Sequence, residues 1–151
     1  MREITGYLKM LGSGKVTGNQ AGKSFVHYSS VEIGDEVLIK VRTAQALGDY
    51  ISRGLNDSGP VTLYLIGKLI IAVKLANGKV YYWKRGMLSP ILLTLIGLWL
   101  GGFVGFLVTK STFLSIVGAI AVTAIVARSE INQVFVCQPK FSAMGGVPLK
   151  S

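Results

Sequence analysis

The sequence predicts an α+β membrane protein in which a small β-rich N-terminal domain, OB-like or SH3-like, precedes a two-helix transmembrane hairpin. Three observations lead there. Residues 1–85 carry 12 basic and 6 acidic residues, while residues 87–127 carry a single charge, Lys110. Runs rich in β-branched and aromatic residues, separated by Gly-containing turns, fill most of the first 85 positions, as strands do. Two uncharged apolar stretches then follow with only Thr109, Lys110 and Ser111 between them. The expected division is 1–85 as a cytosolic β-rich domain, 86–128 as a transmembrane helical hairpin and 129–151 as a cytosolic C-terminal tail.

Residues 2–11 alternate loosely and read as a strand. Residues 12–24, GSGKVTGNQAGKS, are rich in Gly, Ser and Lys and read as a loop. FVHYSSVEI at 25–33 and DEVLIKVR at 35–42 form a hairpin about Gly34-Asp35. Thr43 is placed to cap a short helix in which Ala44, Leu47, Tyr50, Ile51 and Leu55 recur at helical spacing. Gly54 marks its end, and Asn56 to Pro60 stop any continuation. A meander follows: Val61–Ile66, a turn at Gly67-Lys68, Leu69–Ala76, a two-residue turn at Asn77-Gly78 and Lys79–Lys84. Asn-Gly is a strong hairpin signal because both residues tolerate positive φ. Lys68 and Lys74 argue against a membrane span over 61–76, which is also short of the ~20 residues needed. The order strand–strand–strand–helix–strand–strand matches an OB-type barrel by topology, with an SH3-like barrel or an open α+β sheet fitting nearly as well.

Leu88 to Thr109, LSPILLTLIGLWLGGFVGFLVT, has no charge and about the length a helix needs to cross hydrocarbon. Pro90 sits in its first turn, where a missing N–H costs little. Thr112 to Ala127 is the second expected span. Tyr82, Trp83, Lys84 and Arg85 before the first and Arg128 after the second read as interface anchors. Three flanking cations against Lys110 in the turn place both termini in the cytoplasm of a bacterial-type inner (plasma) membrane. The absence of an apolar signal-peptide core at the N-terminus points the same way.

Small residues recur at spacing four on both stretches. Gly97, Gly101 and Gly105 form a double GxxxG widened by Gly102, and Ser115, Ala119 and Thr123 answer them with Gly118 beside. Such faces allow close helix packing, either within one hairpin or between copies. These residues are the expected helix-packing and oligomerisation site.

The formal charge of +9 fits the basic flank of a membrane protein better than a nucleic-acid binder. Gly18 to Ser24 resembles a phosphate-binding loop but has three residues, not four, before Gly-Lys-Ser, and a strand rather than a helix after it. Neither nucleotide nor nucleic acid is expected as a partner. The chain has one cysteine, Cys137, and one histidine, His27; no disulfide can form within it, and neither a zinc cluster nor a catalytic pair is supported. Cys137 reads as a small apolar filler and His27 as a strand-surface residue. The sequence assigns no catalytic residue, cofactor or metal. The expected function is non-enzymatic: a membrane-anchored binding or assembly component, a scaffold that self-associates through its Gly-rich helices within a membrane complex, with the lipid bilayer and homo-oligomer or membrane-complex subunits as partners. The alternative is a pore-forming or membrane-disrupting effector with a cytosolic sensing domain.

Overall fold

A computed structural model describes residues 1–18, 24–86, 88–109 and 112–149. The chain divides into two units, Met1–Lys84 with Gln138–Ser151, and Arg85–Cys137.

The first unit is a mixed sheet of nine strands: β1 Arg2–Gly6, β2 Leu8–Leu11, β3 Gly14–Gly18, β4 Ser24–Ile33, β5 Glu36–Ala44, β6 Val61–Ile66, β7 Leu69–Lys74, β8 Val80–Trp83 and β9 Val147–Leu149. Its strands run in the order β1-β6-β7-β5-β4-β2. β1 and β2 are separated only by Tyr7, so the path begins and ends on one stretch of chain and the sheet curls back on itself. The close approach at that seam requires glycine: a Cβ on Gly6 would lie 2.7 Å from the backbone nitrogen of Gly34. β5 and β7 are parallel, joined through Arg42↔Leu69 and Thr43↔Ile70. The crossover between them contains helix α1, Gln45–Asn56.

Ile4, Val31, Ile33, Leu38, Val41, Leu47, Ile51, Leu63, Ile70 and Val73 belong to one buried core. On β4 and β5 the inward face changes partway along. Val31, Ile33 and Leu38 are buried at one end, and Tyr28, Val41 and Thr43 at the other. Those spacings are odd, although the β4–β5 register runs unbroken from Phe25↔Ala44 to Ile33↔Glu36. The switch falls at Ser29, Ser30, Ile39 and Lys40, and Lys40 takes φ 54°. That left-handed conformation bends the strand pair so that both ends of it face the core.

Several expectations change here. Residues 14–18 form β3, paired residue for residue with β4; its two glycines and full exposure hid it among loop residues. Residues 19–23, including most of the phosphate-loop-like segment, lie outside the described residues, while Ser24 opens a strand. Thr43 does not cap α1: its buried hydroxyl donates to the Ile70 carbonyl at 3.1 Å across the parallel junction, and Ala44 holds the cap position. Gly54 lies within α1, where a side chain would press on Val61 and Leu75. The two-residue turns at Gly34-Asp35 and Gly67-Lys68 form with glycine at φ +59° in the first position of each. Asn77-Gly78 is instead part of a three-residue loop, since the Leu75 N–H donates to the Lys79 carbonyl at 3.0 Å and only Gly78 has positive φ. A turn of this kind ends in one left-handed residue rather than two.

The end of the expected C-terminal tail takes regular structure. α4, Gln138–Ala143, places Phe141 against Tyr64 and Tyr82 at centroid distances of 5.1 Å and 5.7 Å, and β9 pairs in parallel with β8.

Burial raises the pKa of Tyr28, a hydrogen bond from Ser52 partly offsets it and Asp49 adds to it; burial and then Glu3 raise that of Tyr64. A phenol raised in the folded state stabilises the fold fully below its unfolded value of about 10, and that contribution is lost as pH climbs through the higher folded value. The thermal midpoint should therefore fall as pH rises above about 10. Tyr28→Phe combined with Tyr64→Phe should flatten that fall; an equally steep fall in the double variant would assign alkaline unfolding to other groups.

The second unit holds α2, Leu88–Thr109, α3, Thr112–Ile131, and π-helical turns over Asn132–Cys137. Among the described residues, no helix is long and apolar enough to cross a membrane. α3 continues past the expected uncharged stretch through Arg128 to Ile131. The predicted membrane fold class, its two transmembrane spans and the inner-membrane location with cytoplasmic termini are corrected accordingly: the architecture is a nine-stranded mixed sheet with a helical hairpin.

Candidate functional site

The small residues of the hairpin divide into two sets. A Cβ on Gly97 would lie 2.8 Å from Thr123 Oγ1 and 3.3 Å from its Cα; one on Gly101 would lie 2.7 Å from the Ala119 Cα. Four residues forward on α2 thus match four residues back on α3, the relation of antiparallel helices. Gly97, Ala119 and Thr123 are buried. Absent side chains on α2 let the α3 backbone approach directly, which is what spacing four achieves when each step advances about 400° at about 3.6 residues per turn.

Gly102 and Gly118 form the second set, with nothing within 4 Å of the Cβ position of either. The positions of Gly105 and Ser115 fall within α2 and α3, and their surroundings lie outside the described residues. The hairpin also exposes large apolar side chains: Leu95, Ile96, Trp99 at 69% and Phe103 on α2, and Phe113 at 74%, Ile116 and Ile120 on α3. The Trp99 and Phe103 rings are nearly parallel, with centroids 5.8 Å apart.

The flanking residues do not act as a set. Tyr82 and Trp83 are 5% and 1% exposed and belong to the interior of the sheet unit: Tyr82 packs on Phe141, and Trp83 meets Phe25 edge-on at 5.3 Å. Aromatic type and position alone make both read as interface anchors. β8 instead turns Tyr82 beneath α4. Lys84 is exposed, and its N–H donates to the Leu149 carbonyl at 2.9 Å. Arg85, in the hairpin unit, donates to Gln133 Oε1 at 3.4 Å. Arg128 is exposed on α3.

His27 is exposed on β4 in the sheet unit, and Cys137 is buried in the hairpin unit. Among the described residues no three His, Cys, Asp or Glu side chains are grouped to hold a metal ion. Sequence reasoning missed one arrangement. Lys15↔His27 on β3–β4 and His27↔Arg42 on β4–β5 are direct cross-strand pairs, so three basic residues stand in one exposed row. Their separations in sequence carry no sign of this; only the pairing register brings them together. No family model, curated protein or solved structure matches the chain.

Proposed function

We propose that this protein is a non-enzymatic assembly component: copies associate through the outer face of the α2–α3 hairpin and so present several β-rich units together. The observation that carries this reading is the division of the glycines. Gly97 and Gly101 are used by the hairpin itself, whereas Gly102 opens onto a side of α2 where Leu95 and Trp99, seven and three residues before it, are exposed. Burying such a face against a second copy yields roughly 25 cal/mol per Å² of apolar area, and small residues let helices of the two copies approach closely.

Light scattering of the full chain in mild detergent, with crosslinking as a second measure, tests the proposal. Wild type should form a defined oligomer, and Gly102→Leu should shift it to monomer while the helix content stays constant. A strict monomer in wild type, or an oligomer indifferent to Gly102→Leu, would remove the support. Co-flotation of the monomer with phosphatidylcholine vesicles would assign the face to lipid and likewise overturn self-association.

A further inference from the structure

We infer that the Lys15–His27–Arg42 row is a binding surface for single-stranded nucleic acid, reading its phosphodiester backbone. The three side chains lie directly opposite one another on β3, β4 and β5, across two inter-strand steps that total about 10 Å. Lys15 and Arg42 bring like charges to either side of His27, a repulsion that an anion lying along the row relieves. No carboxylate occurs among the same-face neighbours Ser13, Thr17, Phe25, Ser29 or Ala44. The acidic residues of these strands gather at the opposite end. Glu36 pairs with Arg2, and Glu32 and Asp35 lie 4.0 Å from Lys9. His27 and Glu32 are five residues apart on β4, about 17 Å at about 3.3 Å per residue.

Two further observations sharpen the ligand. Lys40, two residues before Arg42, is exposed and holds φ 54°. A left-handed bend there is least costly for glycine and acceptable for asparagine; a lysine at that corner places a cation beside the row at the expense of strain. Lys68 is exposed at the next strand, with its carbonyl accepting the Arg42 N–H at 2.9 Å. Cations spread over this breadth exceed what a single phosphate touches and suit successive phosphates of one chain. The Arg42 guanidinium also lies over the Phe25 ring at 5.9 Å, which joins an aromatic surface to the basic row. That combination of backbone-tracking charge and ring is what single strands use.

The test is fluorescence anisotropy of a labelled oligothymidylate with the full chain at low salt. Wild type should bind, with an affinity that falls steeply as salt rises. Arg42→Ala and Lys15→Ala should each weaken binding several-fold and reduce the slope of log affinity against log salt by about 0.7, the value for one phosphate contact on a single strand. Lys79→Ala removes the same charge from the distant β7–β8 loop and should leave binding within about twofold, on the same counterion argument. Lys40→Gly separates function from folding: its melting temperature should stay level or rise as strain is relieved, while binding weakens. Absent binding in wild type, equal losses for Lys79→Ala and Arg42→Ala, full competition by millimolar inorganic phosphate, or preference for anionic vesicles over the oligonucleotide would each overturn the assignment. None of these outcomes depends on the oligomeric state proposed for the hairpin.

Discussion

Gly101→Leu should prevent the α2–α3 hairpin from closing. Even the first added carbon would sit 2.7 Å from the Ala119 Cα and 3.2 Å from its Cβ. The nearest of these is backbone, so α3 must move as a body. Overpacking of a tight contact costs about 1–3 kcal/mol, and leucine adds three further carbons to the one that already collides. The neighbouring Gly102→Leu meets nothing within 4 Å at its Cβ and should leave the closed hairpin intact. An engineered disulfide reports the difference. The Gly97 Cβ position lies 3.4 Å from the Thr123 Cβ, at the short end of the roughly 3.5–4.5 Å range that disulfides span. With Cys137→Ser removing the native thiol, Gly97→Cys/Thr123→Cys should oxidise readily. Adding Gly101→Leu should slow that oxidation at least tenfold, and adding Gly102→Leu should not. Equal rates in the two backgrounds would show that the Gly101–Ala119 contact does not hold the helices together.

That asymmetry between adjacent glycines shows how much of the molecule is legible in its sequence. Spacing four at Gly97, Gly101 and Gly105 identifies a close-packing face, but periodicity alone leaves open which glycines are spent within the chain. The turns at Gly34-Asp35 and Gly67-Lys68 are legible because positive φ in a two-residue hairpin demands glycine. β3 is not, because a glycine-flanked strand exposed on both faces has no alternation to read. Thr43 illustrates a different loss: its hydroxyl is a good helix cap by type, yet the parallel β5–β7 junction offers it a buried carbonyl, and a partner distant in sequence leaves no local trace. The same holds for the basic row, whose members are spaced 12 and 15 residues apart and meet only through register. Tyr82 and Trp83 read as interface anchors because aromatic residues followed by cations describe an exposed flank as well as the buried strand end they form. Composition draws the two uncharged stretches toward a bilayer, whereas no helix among the described residues meets the length and apolarity that crossing requires.

Phe141→Ala should release the C-terminal segment from the sheet. The row Tyr64↔Ala72↔Tyr82↔Pro148 runs across β6, β7, β8 and β9. The small Ala72 between two tyrosines leaves a depression, and the Phe141 ring packs on both tyrosines that flank it, itself 1% exposed. Removing a buried phenylalanine costs about 3–5 kcal/mol. Here the loss should be local at first, because β9 is short and its pairing with β8 continues from α4 through one glycine contact: a Cβ on Gly146 would lie 2.7 Å from the Phe141 carbonyl and 3.1 Å from the Tyr82 ring. Limited trypsin digestion should cut the variant after the exposed Lys140 much faster than wild type. Hydrogen exchange of the Lys84 N–H, which the Leu149 carbonyl now accepts at 2.9 Å, should quicken in parallel. Tyr64 supplies an independent reading. Burial is the first cause of its raised pKa, so uncovering it should move its spectroscopic titration back toward the ordinary tyrosine value while that of Tyr28, on the far side of the sheet, stays raised. Phe141→Leu, which keeps most of the apolar volume, should restore the greater part of the protection. If Phe141→Ala leaves proteolysis, exchange and the Tyr64 titration unchanged, the segment after Cys137 is not held by this ring, and the sheet ends at β8.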